Sequence, residues 1–165
     1  MKRFLVTLSC IFLFSCNGGL EPVIPVEPGF GGTIYFAPGS WPPADSLVSV
    51  WLFASQIYPL DSTTVFSGIL SSPPQIFLYP AISQSLPFNV DSVEYRIDVP
   101  VGTYKYIGIL HQFNTVLNIH SFHVVSFLPD SLHPSSPRIL EIHDGEYVGN
   151  IDLHVDFRSL PPQPF

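Results

Sequence analysis

The chain predicts an all-β fold, an antiparallel sandwich of seven to nine strands, on three observations. Short runs of Val, Ile, Phe, Tyr and Leu alternate with Pro, Gly, Asp and Ser clusters from residue 32 onward. Stretches with the helical period are essentially missing. Two segments, Val93 to Val99 and Ile151 to Phe157, place apolar residues at every second position, as a strand with one buried face requires.

Taken in order, the predicted strands are Thr33 to Ala37, Leu47 to Ala54, Thr64 to Leu70, Ile76 to Tyr79, Val93 to Val99, Thr103 to His111, Ser121 to Leu128, Arg138 to His143 and Val148 to Phe157. Thr103 to His111 is apolar on both faces. That predicts a central strand, or one covered on its outer side by the long proline-rich insert at residues 55–92. Near the C-terminal end Asp144-Gly145 is a two-residue hairpin signal. Pairing His143 with Glu146 sets Leu140 opposite Gly149 and Ile142 opposite Tyr147, and gathers Glu141, His143, Glu146, Asn150 and Asp152 on the outer face.

The N-terminal segment has a different character. Lys2 and Arg3 precede an apolar run from Phe4 to Phe14, and Leu13-Phe14-Ser15-Cys16 ends it with a small residue before a cysteine. This resembles a bacterial lipoprotein signal, which implies cleavage before Cys16 and attachment of lipid to its thiol. An ordinary secretory signal fits less well, because no Ala-x-Ala site is present. A retained membrane anchor also fits less well, because the apolar run falls short of the roughly 20 residues a spanning helix needs. The expected organisation is a signal peptide at 1–15, a lipid anchor and Pro/Gly-rich tether at 16–31, a sandwich at 32–158 and a Pro-rich tail at 159–165. Asn17 after the anchor favours the outer membrane of a bacterial cell envelope as the destination.

Charge narrows the partners. The formal net charge is −7, and loss of Lys2 and Arg3 with the signal leaves Arg96, Lys105, Arg138 and Arg158 against 13 acidic residues. Nucleic acid needs a basic surface that this chain lacks. With Cys10 in the signal, Cys16 is the single mature thiol, so an intrachain disulfide is excluded and thiolate metal sites with it. The expected partners are the membrane, through the N-terminal lipid, and another envelope protein or a glycan.

The segment Glu94-Tyr95-Arg96-Ile97-Asp98-Val99-Pro100-Val101-Gly102-Thr103-Tyr104-Lys105-Tyr106-Ile107-Gly108-Ile109 resembles the strand, Pro-x-Gly-Thr-Tyr turn, strand element of transthyretin-like (prealbumin-like) domains, the group that includes carboxypeptidase regulatory-like modules. Gly32-Thr33-Ile34 matches their opening strand, Val48 to Phe53 their second apolar strand, and Ile151 to Phe157 a closing strand. Residues 55–92 depart from the pattern, being longer and proline-rich. The resemblance implies a structural or binding module without catalytic residues of its own.

No Gly-x-Ser-x-Gly elbow, Ser-x-x-Lys, His-Glu-x-x-His or phosphate-cradling glycine loop occurs, so a non-enzymatic role with no cofactor is expected. Six histidines raise the question of a metal. Asp152 and His154 share a strand face and could be joined across the hairpin by Glu141 or His143 in a weak Ca²⁺, Zn²⁺ or Ni²⁺ site, although a solvated polar strand face accounts for the same row. Among the aromatics, Trp51 is expected in the core. Trp41 sits in a loop, where it either plugs the end of the sandwich or offers a stacking platform, and burial of so large a ring favours the plug. Tyr79, in the proline-rich loop 71–89, is the other candidate contact residue.

Overall fold

The computed structural model of the chain describes residues 25–116 and 118–165. The fold is an all-β sandwich. The first sheet is built on β1 (Gly29–Phe36), flanked by β4 (Ser92–Asp98) on one side and by β9 (Tyr147–Val148) and β10 (Leu153–Val155) on the other. The second has the order β3 (Ile76–Tyr79), β2 (Ser49–Ser55), β6 (Tyr106–Gln112), β7 (Phe122–Phe127). A small two-stranded sheet pairs β5 (Gly102–Tyr104) with β8 (Leu140–Ile142). Pairing is antiparallel except along one side of β1, where β9 and β10 run parallel to it.

The main core lies between the sheets. Phe30, Ile34, Leu52, Tyr104, Ile107, Ile109, Ile142, Ile151 and Leu153 are all at most 2% exposed there. Burial of that many large apolar side chains, at about 25 cal/mol per Å², is the dominant stabilising term. Two tyrosines bring their hydroxyls into this core with partners supplied. Tyr104 donates to the Pro100 carbonyl at 2.7 Å, closing the Pro-x-Gly-Thr-Tyr turn on itself, and Tyr95 donates to the Ile151 carbonyl at 2.6 Å, tying β4 to the segment that leads into β10. Burial pushes both phenols above their ordinary value.

β6 is covered on both faces, as its apolar run requires. Ile107 and Ile109 point into the main core. Tyr106 and Leu110 point to the opposite side, where they join Trp51, Phe53, Phe122 and Val124 in a second apolar cluster. A bulge between β6 and β7 leaves Val125 as an extra residue, so that Val125 enters the main core and its neighbour Ser126 reaches towards the first sheet as well, its Oγ donating to the His154 carbonyl at 2.6 Å.

Four expectations are corrected. Thr64 to Leu70 is not a strand but part of a helix, α1 (Ser62–Leu70). Asp61 accepts from the Thr63 and Thr64 amides at 2.8 Å each, and Thr64 Oγ1 accepts from the Asp61 amide at 2.9 Å. This reciprocal cap satisfies donors that a helix start leaves open. It outweighs the strand preference of the Thr-Thr-Val-Phe run, because Val65 and Gly68, three apart, then face the second cluster together.

The tether does not reach residue 31. Gly29, Phe30 and Gly31 belong to β1, and Phe30 is fully buried. Gly31 is used for close approach rather than flexibility, because a Cβ there would collide with the Tyr147 hydroxyl and the Tyr95 carbonyl.

The Asp144-Gly145 turn forms, with Gly145 at φ +67° and the Glu146 amide donating to the His143 carbonyl at 3.1 Å. Its flanks do not pair with each other. β8 pairs with β5 and β9 with β1, so the turn carries the chain from one sheet to another. Leu140, Ile142, Ile151 and Leu153 still point into the shared core, because their alternation specifies a face and not a neighbour.

Finally, two long strands are broken. Lys105 separates β5 from β6 by donating its amide to Ser55, and Asn150, at φ +59°, separates β9 from β10. Among the described residues the count becomes ten strands.

Candidate functional site

Helix α1 lies over the outer face of the second sheet. It is held at its β3 side by Gly68, where a Cβ would stand 2.8 Å from Ile76 Cγ1, so a larger residue would have to displace that side chain or the helix. Leu60, Val65 and Ile76 close that side with buried apolar contacts. Towards β6 and β7 the fit is looser. A cavity of about 320 Å³ remains between Phe66 and Ile69 of α1 above and Trp51, Leu110 and Phe122 of the sheet below. That volume sits at the lower end of the roughly 300–1,000 Å³ range of small-molecule pockets.

The chemistry of the walls is simple. Ser49 and Gln112 supply the polar groups at one side, and no titratable side chain lines the cavity. Both are internally engaged, Ser49 Oγ donating to the Val48 carbonyl at 2.7 Å and Gln112 Nε2 to the Asn114 carbonyl at 2.7 Å. Trp51 is 5% exposed, and its indole N–H is buried with no hydrogen-bond partner among the described residues. A buried unsatisfied donor costs about 1–3 kcal/mol. At the mouth, Leu70 and Ile82 are 77% and 60% exposed.

Of the residues singled out in the sequence, Trp41 is half-buried at the end of the sandwich. Its ring centroid lies 4.5 Å from that of Phe36 and 4.8 Å from that of Phe157, and its Nε1 donates to the Val90 carbonyl at 3.1 Å. Tyr79 is half-buried on β3 and leans on Tyr95 at 6.4 Å. Neither lines the α1 cavity. Cys16 lies outside the described residues.

The candidate metal ligands are not brought together. Glu141 is on β8 beside Thr103 of β5, and His143 is in the turn. Asp152 accepts from the Thr33 amide at 2.8 Å, and His154 stacks on Tyr35 at 5.2 Å. Among the described residues no group of three or more His, Cys, Asp or Glu side chains could share an ion. The hairpin pairing that would have joined these residues does not form, which is the physical reason. A more open hollow of about 400 Å³ passes Tyr35 and His154.

The remaining histidine of note is His111, 5% exposed, with Nε2 2.8 Å from the Ser46 carbonyl, to which it donates. Burial lowers its pKa from the ordinary 6.5, against the opposing effect of that hydrogen bond.

The α1 cavity could not be read from the chain, since it requires a helix where strand-forming residues stand. The available signal was Asp61 three residues before Thr64, a capping pattern, with Val65, Gly68 and Ile69 at helical spacing behind it. No helix of the described residues is long and apolar enough to cross a membrane. Comparison with known proteins finds no matching family model, no matching curated protein and no matching solved structure.

Proposed function

We propose that the chain is a non-catalytic, lipid-anchored β-sandwich of the bacterial envelope that acts by binding, with the cavity beneath α1 as its contact site. The observation that carries this reading is the cavity itself. It is lined mainly by apolar side chains, and no titratable side chain lines it, which suits retention of a partner better than turnover. The N-terminal pattern ending at Cys16 supports placement at a membrane surface, and the transthyretin-like turn at Pro100 to Tyr104 supports a module that works beside other envelope components.

Two measurements test it. Metabolic labelling with an alkyne fatty acid should mark the wild-type chain and not Cys16→Ala, and Cys16→Ala should leave the membrane fraction; an unlabelled wild type removes the anchor. A photo-crosslinking residue placed at Leu70 in living cells should capture a specific envelope component, with capture lost in Ile82→Asp. Uniform failure to capture removes the contact site.

A further inference from the structure

We infer that the serines of four Asp-Ser tripeptides, Ser131 foremost, are acceptors of O-linked sugar, so that the chain carries glycans on its surface. The inference rests on the envelope placement proposed above, where a membrane-bound glycosyltransferase would meet the chain, and does not depend on the α1 cavity.

The first observation is a repeated tripeptide. Asp45-Ser46-Leu47, Asp61-Ser62-Thr63, Asp91-Ser92-Val93 and Asp130-Ser131-Leu132 share an aspartate, a serine and a branched third residue. Serine supplies 19 of the 165 residues, so in random order the eight aspartates would be followed by it about once, against the four times seen. Turn chemistry explains an aspartate where an element begins, but it calls neither for serine next nor for a branched residue after that.

The second is placement. Asp45-Ser46 lies in a single helical turn before β2, Asp61-Ser62 opens α1, Ser92 is the first residue of β4, and Asp130-Ser131 lies in the loop after β7. Ser62, Ser92 and Ser131 are exposed, and Ser46 is half-buried. Ser131 is the best presented. Asp130 Oδ1 accepts from the Leu132 and His133 amides at 2.8 and 2.9 Å, which fixes the turn. The Asp130 amide donates to the Ser136 carbonyl at 2.9 Å, and a bridge between Pro129 and Pro137 closes the base of the loop. Leu132 is 81% exposed. A turn already fixed in this way offers an enzyme a carboxylate, a free hydroxyl and an apolar side chain at little ordering cost.

The third is charge, which selects sugar over phosphate. Each serine follows a carboxylate, and hydrogen bonds from main-chain amides hold those of Asp61 and Asp130 below the usual carboxylate range. A phosphate would set a dianion beside a carboxylate in a chain already at −7. At Ser62 the helix start that would attract a phosphate is already taken by Asp61. A neutral sugar meets no such repulsion, and it suits an exposed loop. In the transfer, serine Oγ bonds to the anomeric carbon of a glycosyl donor activated as a phosphate ester. The bond from that carbon to the phosphate oxygen breaks, its electron pair leaves with the phosphate, and the hydroxyl proton passes to a base of the transferase.

The test is peptide mapping by mass spectrometry of the full chain, made in and purified from its own bacterium, with fragmentation that keeps side-chain groups attached. Peptides holding Ser131 should carry mass increments of whole sugar residues, as should those holding the other three serines, while the serines outside the tripeptides stay bare and serve as internal controls. Ser131→Ala should lose the increment from its peptide. Asp130→Asn should lose it too, although asparagine keeps the acceptor oxygen of the turn, because the carboxylate is what the enzyme reads. Retention of sugar in Asp130→Asn, sugar on serines outside the tripeptides at equal occupancy, or increments of phosphate size at Ser131 overturns the inference. So does a bare wild-type chain, and its location then tells the two readings apart: bare serines on a chain in the membrane fraction remove the glycans alone, whereas bare serines on a chain retained in the cytoplasm remove the envelope reading as well.

Discussion

Gln163 grips both main-chain groups of Val124: its Oε1 accepts from the Val124 amide at 2.8 Å and its Nε2 donates to the Val124 carbonyl at 3.0 Å. β7 is the outer strand of the second sheet, and a side-chain amide here stands in for the strand that would otherwise pair with it. Phe165 packs beside it on the second cluster. The proline-rich segment 159–165 thus covers an edge and belongs to the folded unit.

Gln163→Ala should therefore lower stability by about 1–2 kcal/mol, the value of two hydrogen bonds to a partly buried strand. Concentration-dependent association through the uncovered edge should follow. Urea unfolding reads the first effect and light scattering the second; a variant as stable and monodisperse as wild type would contradict this role for the tail.

His111 should make stability depend on pH in the mildly acidic range. Its folded-state pKa lies below the 6.5 of the free side chain, so between the two values the unfolded chain holds more protons. Stability is complete above 6.5, falls as the pH drops towards the folded value and then levels. His123, also lowered by burial and tilted against Phe113 with ring centroids 4.4 Å apart, acts in the same direction. Denaturation midpoints measured from about pH 7.5 to 5 should decline in wild type and decline less in His111→Gln.

Gly31→Ala tests the close packing of β1. The added methyl meets the Tyr147 hydroxyl and the Tyr95 carbonyl, and overpacking of this kind costs about 1–3 kcal/mol. Tyr147→Phe in the same chain should recover part of the loss by removing one of the two obstacles. Thermal unfolding of the single and double variants gives the comparison, and no recovery would place the whole strain at the Tyr95 carbonyl.

Asp61→Ala removes the cap of α1 and should lower the unfolding midpoint, whereas Asp61→Ser, which keeps an acceptor oxygen, should retain most of it. Because α1 roofs the cavity, the alanine variant should also show weaker photo-crosslinking from Leu70. Gly68→Ala, which presses a methyl against Ile76, should shift the helix and give the same weakening with the cap intact. Unchanged capture in both would separate the helix from binding.

How far the chain announces its fold is seen by comparing particular segments. Ile76–Tyr79 is a strand with the bounds read from sequence, and Val93 to Val99 differs from β4 by one residue at each end. Period-two alternation depends on each residue's own burial and survives without knowledge of neighbours. The double-sided apolar run in Thr103 to His111 likewise signalled cover on both faces, and α1 from the insert supplies the outer cover.

The pairing of β8 and β9 was not legible in the same way. Asp144-Gly145 specifies a reversal of direction, and a reversal inside one sheet looks locally the same as a crossing between two. The glycines of β1 were misleading for a related reason, since glycine suits both a loose linker and a crowded strand. Only the positions of Tyr147 and Tyr95 distinguish the two at Gly31.

By itself the sequence determined the β class, the buried face of each alternating strand, the acidic surface and the pattern that ends at Cys16. These follow from properties carried by single residues or by near neighbours in the chain. Tertiary structure decided which strands pair, that Ser62–Leu70 coils into a helix, that residues 159–165 seal an edge, and that an apolar cavity opens beneath that helix. Those features exist only where segments far apart in the chain meet. Their free energies come from close packing and from hydrogen bonds gained or left unmade, which no local pattern of residues records.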